Sequence, residues 1–456
     1  MTVLRGNRLA LGTVLVALCA AATGCGGDDG PPPTLDQQLN KTLHREGVGP
    51  LAPGPVPDTA KVTLGQALMF DKEISGNRDI SCATCHHPLL HTGDGISVSI
   101  GTGGKGLGPT RVLGAGRPFI PRNAPEVFVR GATLWTTMFW DGRVNGTPEG
   151  GFTSPAGAQL PAGLESVLAV QAMFPVTSRD EMRGKIGDLD VFGQHNEMAD
   201  FGDNDFTGIW RGLMVRLLAI PQYVTLFNQA YPSVPTAQLG FQHAANAIAA
   251  FEIDAWSLLG SPWDQYLDGD RTALSDEAKR GALLFFGKAG CVDCHSGNLL
   301  TDQDYHDIAA PQIGPGKGAE APLDYGRGRE TGTAGNRYKF RTPQLRNVAL
   351  TGPWLHDGAY TTLEGAVRHH LDPETSLRNY DVTQLDPSLR GTFQKDPEVL
   401  TAILANLDPL VSKPLRLTDA EVNELLTFLE ALTDPAAADL RSNIPDSVPS
   451  GLPVRD

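Results

Sequence analysis

A mostly helical chain built from two similar domains is what the sequence predicts, on three observations. The pattern Cys-x-x-Cys-His occurs twice, as Cys82-Ala83-Thr84-Cys85-His86 and as Cys291-Val292-Asp293-Cys294-His295. Each copy follows a short helical pattern headed by glycine, Gly65-Gln66-Ala67-Leu68-Met69-Phe70 and Gly281-Ala282-Leu283-Leu284-Phe285-Phe286, which reads as one unit duplicated and diverged. Little of the chain shows the apolar-polar alternation of strands, and long Gly- and Pro-rich stretches separate the helical patterns.

Taken in order, residues 1–24 read as an export signal: Arg5 and Arg8 precede an apolar run from Leu9 to Ala22, and small residues lead into Ala22-Thr23-Gly24-Cys25. That ending resembles a lipobox with Ala22 where Leu is usual, so Cys25 is expected to become the lipidated first residue. Residues 25–59, rich in Gly, Asp and Pro, read as a flexible tether. The first domain is expected over 60–262, closing with a helix from about Ala237 to Trp256. The second is expected over 263–435. Its first helix has Ser275 as N-cap with Asp276 and Glu277 in the first turn. Its last opens on the capping box Thr418-Asp419-Ala420-Glu421 and carries Val422, Leu425, Leu426, Leu429 and Leu432 at helical spacing. Residues 436–456 read as a tail.

Cys-x-x-Cys-His is the attachment signature of c-type haem: the thiols add to the vinyl groups and the His stands under the iron. Cys82, Cys85 and His86 are thus expected to hold one covalent haem, and Cys291, Cys294 and His295 a second. A zinc site would need its two halves close together, which two motifs so far apart in the chain do not suggest. Cleavage before Cys25 discards Cys19 and leaves only the four motif cysteines besides Cys25, so no thiol remains for a disulfide. Haem of this type is attached outside the bacterial cytoplasm, which agrees with an export signal and a periplasmic, lipid-anchored protein.

The apolar run near the start is too short to span a membrane, and no later segment approaches ~20 uninterrupted apolar residues. Loss of residues 1–24 removes two arginines and no acid, taking the formal charge from −15 to −17. Such acidity argues against nucleic acid and suits small basic redox partners, although it also serves solubility alone. The glycines from Gly93 to Gly116 lack the strand and helix of a phosphate loop and read as a loop passing close over a haem face.

Several ordered segments now resemble one family. They are Ser81–His86, Arg122-Asn123-Ala124-Pro125, Phe139-Trp140-Asp141-Gly142-Arg143, the run Arg341–Thr351, and His356-Asp357-Gly358. Together they are similar to the bacterial di-haem cytochrome c peroxidase and MauG family, over roughly 60–435, with extra segments around 145–165 and 185–206. The resemblance implies two cytochrome c-like haem domains: a peroxidatic haem in the first, and an electron-relaying haem in the second.

It also implies residue roles. Trp140 matches the tryptophan between the haems that carries electrons or holes; read alone, it is equally a core aromatic. Gln171 and Glu181 match the pocket positions of the family's distal segment, where a carboxylate moves a proton between the peroxide oxygens. Read alone, Glu181 would be a surface acid. Many family members place a distal His after the first motif, but none stands between His91 and His195 here, so the first haem is expected to be open. His87 and His91 read as surface or propionate-side residues.

The usual Met ligand of the second haem is missing too, since the last Met is Met214. His370 falls at that position, with His369, His356 and Tyr380 as alternatives. Replacing Met by a His or Tyr donor lowers the iron's potential. Asn123 matches a calcium ligand of the family, with Thr342 and Pro343 nearby.

The implied activity is reduction of hydrogen peroxide by electrons from a small cytochrome or copper protein. A MauG-like oxidation of Trp or Tyr in a partner protein is the alternative. A non-enzymatic electron carrier would need a sixth ligand on the first haem that the sequence does not offer. A homodimer is an open expectation.

Overall fold

The computed structural model describes residues 32–455. The export signal, the lipobox with Cys25 and the start of the tether lie outside the described residues.

The chain is mostly helical, with few short strands. In order come α1 (Leu35–Glu46), α2 (Thr59–Phe70), the single turn α3 (Cys82–Cys85), α4 (Val167–Ala172), α5 (Phe206–Leu218), α6 (Pro221–Ala230) and α7 (Phe241–Trp256). Then follow α8 (Pro262–Leu267), α9 (Asp276–Phe285), α10 (Arg327–Thr331), α11 (Leu363–Leu371), α12 (Pro373–Arg378), α13 (Pro397–Leu404) and α14 (Asp419–Glu430). Strands β1 (Thr137–Met138), β2 (Val144–Thr147) and β3 (Gly151–Thr153) form an antiparallel ribbon, and β4 (Tyr305–His306) pairs with β5 (Phe340–Arg341). No described helix is long and apolar enough to cross a membrane.

Two principal cores organise these helices. Leu64, Leu68 and Met69 of α2 pack with Tyr223, Phe227, Ala247 and Phe251 of α6 and α7 in the first. Trp263 and Tyr266 of α8, Phe285 of α9 and Phe428 of α14 build the second. The chain crosses from one to the other between Trp256 and Pro262.

In each core the helix entering a Cys-x-x-Cys-His turn crosses a later helix at a glycine. A Cβ on Gly65 would lie 1.8 Å from the Ala247 carbonyl oxygen, and one on Gly281 would lie 1.9 Å from that of Glu424. Only glycine lets the backbones approach so closely.

The expected caps form. Ser275 Oγ accepts from Ala278 N at 3.1 Å, and Thr418 and Glu421 make a reciprocal capping box. Each such cap is worth about 1 kcal/mol. Phe428, not Leu426, completes the buried face of α14. The helix expected from about Ala237 starts at Phe241, after a separate turn at Thr236–Gln238.

Two readings need correction. From Leu35 the supposed tether is helix α1, capped by Thr34 and Gln37, with Leu39 and Leu43 buried in the second core. Two leucines one turn apart, on a helix lying against α9, supply the burial that the Pro- and Gly-rich flanks hid. The supposed tail is packed as well: Ala437, Leu440 and Val448 join the first core, and Ser450 donates to Asp71 at 2.6 Å. It thus carries the chain's end from the second half back onto the first.

Candidate active site

At the first motif, Ser81 and Thr84 cap the turn, and the His86 backbone N–H bonds the Cys82 carbonyl at 3.0 Å. His86 Nδ1 bonds the Thr92 carbonyl at 3.1 Å, leaving Nε2 for a metal. That is the usual second contact of a metal-binding imidazole. Burial pushes the Cys82 thiol up to about 12, and none of the four described cysteines is in a disulfide.

The Gly-rich stretch folds over this turn. Arg111 clamps it through the carbonyls of Ile100 (2.8 Å) and Gly101 (2.9 Å), and Asp79 accepts from Thr102 Oγ1 (2.7 Å) and Gly103 N (2.6 Å). The loop in turn holds the segment bearing Glu181: Thr102 N donates to the Glu181 carbonyl at 2.9 Å. Gly101 is so close to Asp180 that a Cβ would lie 1.8 Å from its carbonyl oxygen.

Glu181 sits in a single π-turn, Arg179–Arg183, a geometry common at functional sites. The residue is half-buried. Burial raises the pKa of its carboxyl, while Arg143 and then Lys317 oppose the rise. A half-buried acid with a raised pKa departs from the surface-acid reading. Gln171 is half-buried at the end of α4, and Phe174 between them packs edge-on against Phe139 at 6.5 Å.

Asp94, which the sequence reading missed, is buried in the same loop. Burial raises its carboxyl to about 7, and Oδ2 has no hydrogen-bond partner. Its one sequence signal is an acid eight residues after His86, between two glycines. His87, expected at the surface or on the propionate side, is not at the surface: its ring meets Phe70 edge-on at 6.5 Å and its Nδ1 accepts from Leu89 N. His91 Nδ1 bonds the Ala437 carbonyl at 3.0 Å, so neither ring turns toward His86.

The second motif opens a cavity of about 470 Å³ lined by Cys291, Cys294, His295, His356, His370 and Trp140, among others. His295 and His370 face each other with ring centres 6.4 Å apart. A metal–imidazole bond of about 2.0 Å on each side would put two trans rings roughly 6 Å apart, so the pair fits one iron. Each ring uses Nδ1 on a backbone carbonyl, His295 on Leu300 (3.2 Å) and His370 on Ala366 (2.8 Å), leaving both Nε2 atoms.

The alternatives to His370 are otherwise engaged. His369 spends both nitrogens, on Tyr360 Oη (2.9 Å) and the Ile308 carbonyl (2.8 Å), and Tyr380 donates to the Ala359 carbonyl. His356 lies flat on Phe340 with ring centres 3.5 Å apart.

Trp140 stands at the second site. It lines the second cavity, donates from Nε1 to the Asn123 carbonyl at 3.0 Å, and adjoins Phe139 at the first pocket. Around it lies a charged cluster from both halves. Asp141 takes Arg122 (2.6 Å), Arg143 (2.9 Å) and Lys317 (3.1 Å), and Arg122 also reaches Asp324 at 2.6 Å. Removing one partner of such a buried network typically costs about 3–5 kcal/mol.

The calcium expectation fits poorly. The Thr342 carbonyl already accepts from Thr301 (2.7 Å) and Arg341 (3.1 Å), which fills its lone pairs and sets a guanidinium beside it. Among the described residues the one metal-like cluster is Cys294, Asp302 and His306. His306 is clamped between Asp302 (3.0 Å) and Asp408 (2.7 Å), and hydrogen bonds to Asp302 first, then to the Cys294 sulfur and to Asp408, raise its imidazole to about 11.

A family model described as di-haem cytochrome c peroxidase matches residues 59–272. The methylamine utilization protein MauG of Methylorubrum extorquens is 31% identical over 83% of this chain and 80% of its own. Cytochrome c551 peroxidase of Pseudomonas aeruginosa is 32% identical over 67% of this chain and 69% of its own. A solved MauG-like protein associated with microbial copper homeostasis superposes with a TM-score of 0.58 at 26% identity, covering 87% of this chain and 96% of that one. The chain belongs to the di-haem cytochrome c peroxidase and MauG family and is an oxidoreductase of the peroxidase type.

Proposed function

We propose that the chain is an exported peroxidase that carries haem c on Cys82, Cys85 and His86 and on Cys291, Cys294 and His295. In this reading it reduces hydrogen peroxide at the first site with electrons that enter through the second. The observation that carries it is the asymmetry of the two sites. Two imidazoles oppose each other at 6.4 Å in the second, whereas no second imidazole among the described residues is paired with His86 in the first, where the Gly-rich loop bonds the Glu181 backbone.

Bound haem would supply a redox iron at each site, held through His86 at the first and through His295 and His370 at the second. The work of the chain is positional. Burial raises the pKa of the Glu181 carboxyl above its ordinary value, and this carboxyl would take a proton from one peroxide oxygen and return it to the other. Gln171 and the Phe139–Phe174 pair shape the space around the peroxide. His370, a nitrogen donor, would favour the ferric state of an iron held there, and Trp140, which lines the second cavity, would carry electrons between the sites. The paired glycine crossings at Gly65 and Gly281 support a common origin of the two halves by duplication.

The acid-rich body suits a small basic cytochrome or copper protein as donor. A MauG-like oxidation of a partner's Trp or Tyr is the second reading. It is favoured by an imidazole rather than a thioether opposite His295, and by the 31% identity to a MauG protein.

The test is a stoichiometric reaction of the di-haem protein with peroxide and a reduced small cytochrome. Two donor electrons consumed per peroxide, catalytically, is the expected result. A donor left reduced, with oxidation appearing instead on Trp or Tyr of an added protein, would favour the second reading. Low-temperature EPR with two low-spin signals and no high-spin one would overturn the open first site.

A further inference from the structure

Beside His370 stands a second imidazole, wholly buried and bonded at both nitrogens. The ring centre of His369, in the last turn of α11, lies 6.0 Å from that of His370. Its Nε2 meets the Ile308 carbonyl at 2.8 Å, and a carbonyl only accepts, so Nε2 carries the proton of the neutral ring and Nδ1 is bare. The bare nitrogen accepts the phenol O–H of Tyr360 at 2.9 Å. Ser376 Oγ, 2.6 Å from the same phenol oxygen, then donates to it. Each proton of this row has one place. Tyr360 is itself buried, with its ring centre 5.0 Å from that of His369.

Neither tryptophan of the second cavity has a base of this kind. Trp140 and Trp354 donate Nε1–H to the carbonyls of Asn123 and Val348, both at 3.0 Å. A backbone carbonyl takes up no proton, so an electron drawn from either indole leaves a charged ring in a buried place, which is costly. At Tyr360 the proton can leave with the electron.

We propose that Tyr360 is a redox centre of this protein: a tyrosine that gives one electron to the second haem while passing its proton to His369 Nδ1. This rests on the peroxidase reading and adds an electron source to its two irons. Hydrogen peroxide takes two electrons and two protons to become water. With no donor present, iron supplies one electron and Tyr360 the other. The phenol O–H bond breaks, the electron leaves by way of α11 and His370, and the proton becomes an Nδ1–H on His369. What remains is a neutral phenoxyl radical beside an imidazolium. A reduced donor later returns the electron, and His369 returns the proton.

Burial, then the neighbouring His370, lowers the His369 imidazole to about 3, which agrees with a neutral ring at rest. An oxidised phenol is a stronger acid still, so its proton crosses even to this weak base. Tyr380 lies next in line, with its ring centre 5.6 Å from that of Tyr360, but its O–H meets only the Ala359 carbonyl. The radical therefore stays on Tyr360.

The test mixes the diferric di-haem protein with hydrogen peroxide and no donor, and reads the optical spectrum and the EPR of samples frozen during the reaction. A narrow radical signal whose splitting collapses in protein grown on ring-deuterated tyrosine is expected. Tyr360→Phe keeps the ring and its packing and should abolish that signal. His369→Gln keeps a hydrogen-bond acceptor but no base, and should abolish it too, while the low-spin signal of the second site reports intact folding of both variants. Haem bands that respond to peroxide with no tyrosine radical in the parent protein would overturn the role of Tyr360 and leave the peroxidase reading standing. Bands that do not respond would overturn both. A tyrosine radical that persists in Tyr360→Phe belongs to another ring, and one undiminished in His369→Gln has lost its proton elsewhere; either result overturns the proposal.

Discussion

The two Cys-x-x-Cys-His sites are built alike below the ring plane and unlike above it. Below, each has a helix crossed at glycine, a short turn carrying the cysteines, and a His whose Nδ1 bonds a backbone carbonyl, Thr92 in one and Leu300 in the other. Above, the second presents His370 on α11, and the first presents Glu181 on a π-turn locked to the Gly-rich loop. The attachment motif thus fixes what is bound, while elements more than seventy residues away in the chain decide what it can do. In the proposed reading an imidazole would close one site for storing electrons, and a carboxyl would leave the other open for a substrate that must exchange protons.

The sharpest way to break this contrast is His370→Ala. The second site should lose its low-spin EPR signal entirely, while His369→Ala keeps it, because His369 already spends both ring nitrogens on Tyr360 and Ile308. Neighbours on a helix point about 100° apart, so only one of the two can face His295. Survival of the signal in His370→Ala would return His356, the remaining imidazole in the cavity, to consideration.

Glu181→Gln acts on the other site and should spare the second. Peroxide consumption should slow by about 10²- to 10⁴-fold, with both haems attached and the low-spin signal intact. A rate within twofold of the parent would leave the proton work to Asp94, the other acid in that pocket whose burial raises it to about 7.

The legibility of these features in the sequence follows from how local their determinants are. The motifs, Ser275 and the Thr418–Glu421 box are decided within four residues, and they appear in the structure as read. Glu181 and His370 are decided by packing across the chain, and only the family resemblance pointed to them. Helix α1 was lost because the Pro- and Gly-rich composition on either side outweighed two leucines, although Thr34 and Gln37 had the spacing of a capping box. The tail was lost because its hold, Ser450 on Asp71, spans nearly the whole chain. Lys317 gave no signal at all: a lysine among glycines is ordinarily a solvated turn, and its partner Asp141 lies in the other half.

The smallest expected effect tests the likeness below the ring plane. Gly65→Ala and Gly281→Ala place the same methyl at equivalent crossings, 1.8 Å from the Ala247 oxygen and 1.9 Å from the Glu424 oxygen. Helix propensity alone would make each variant more stable by about 1 kcal/mol, since alanine favours a helix interior over glycine. Overpacking works against this, typically by about 1–3 kcal/mol, and here the obstacle is backbone, which cannot rotate away as a side chain can. Net destabilisation of about 1–2 kcal/mol is therefore expected at both positions, read as a lowered thermal midpoint of the di-haem protein. Equal losses would mean that the two halves depend on the same crossing. A loss at Gly65 with a gain at Gly281 would show that the pair α9 and α14 can open where α2 and α7 cannot, and the likeness would then reach no further than the cysteine turns.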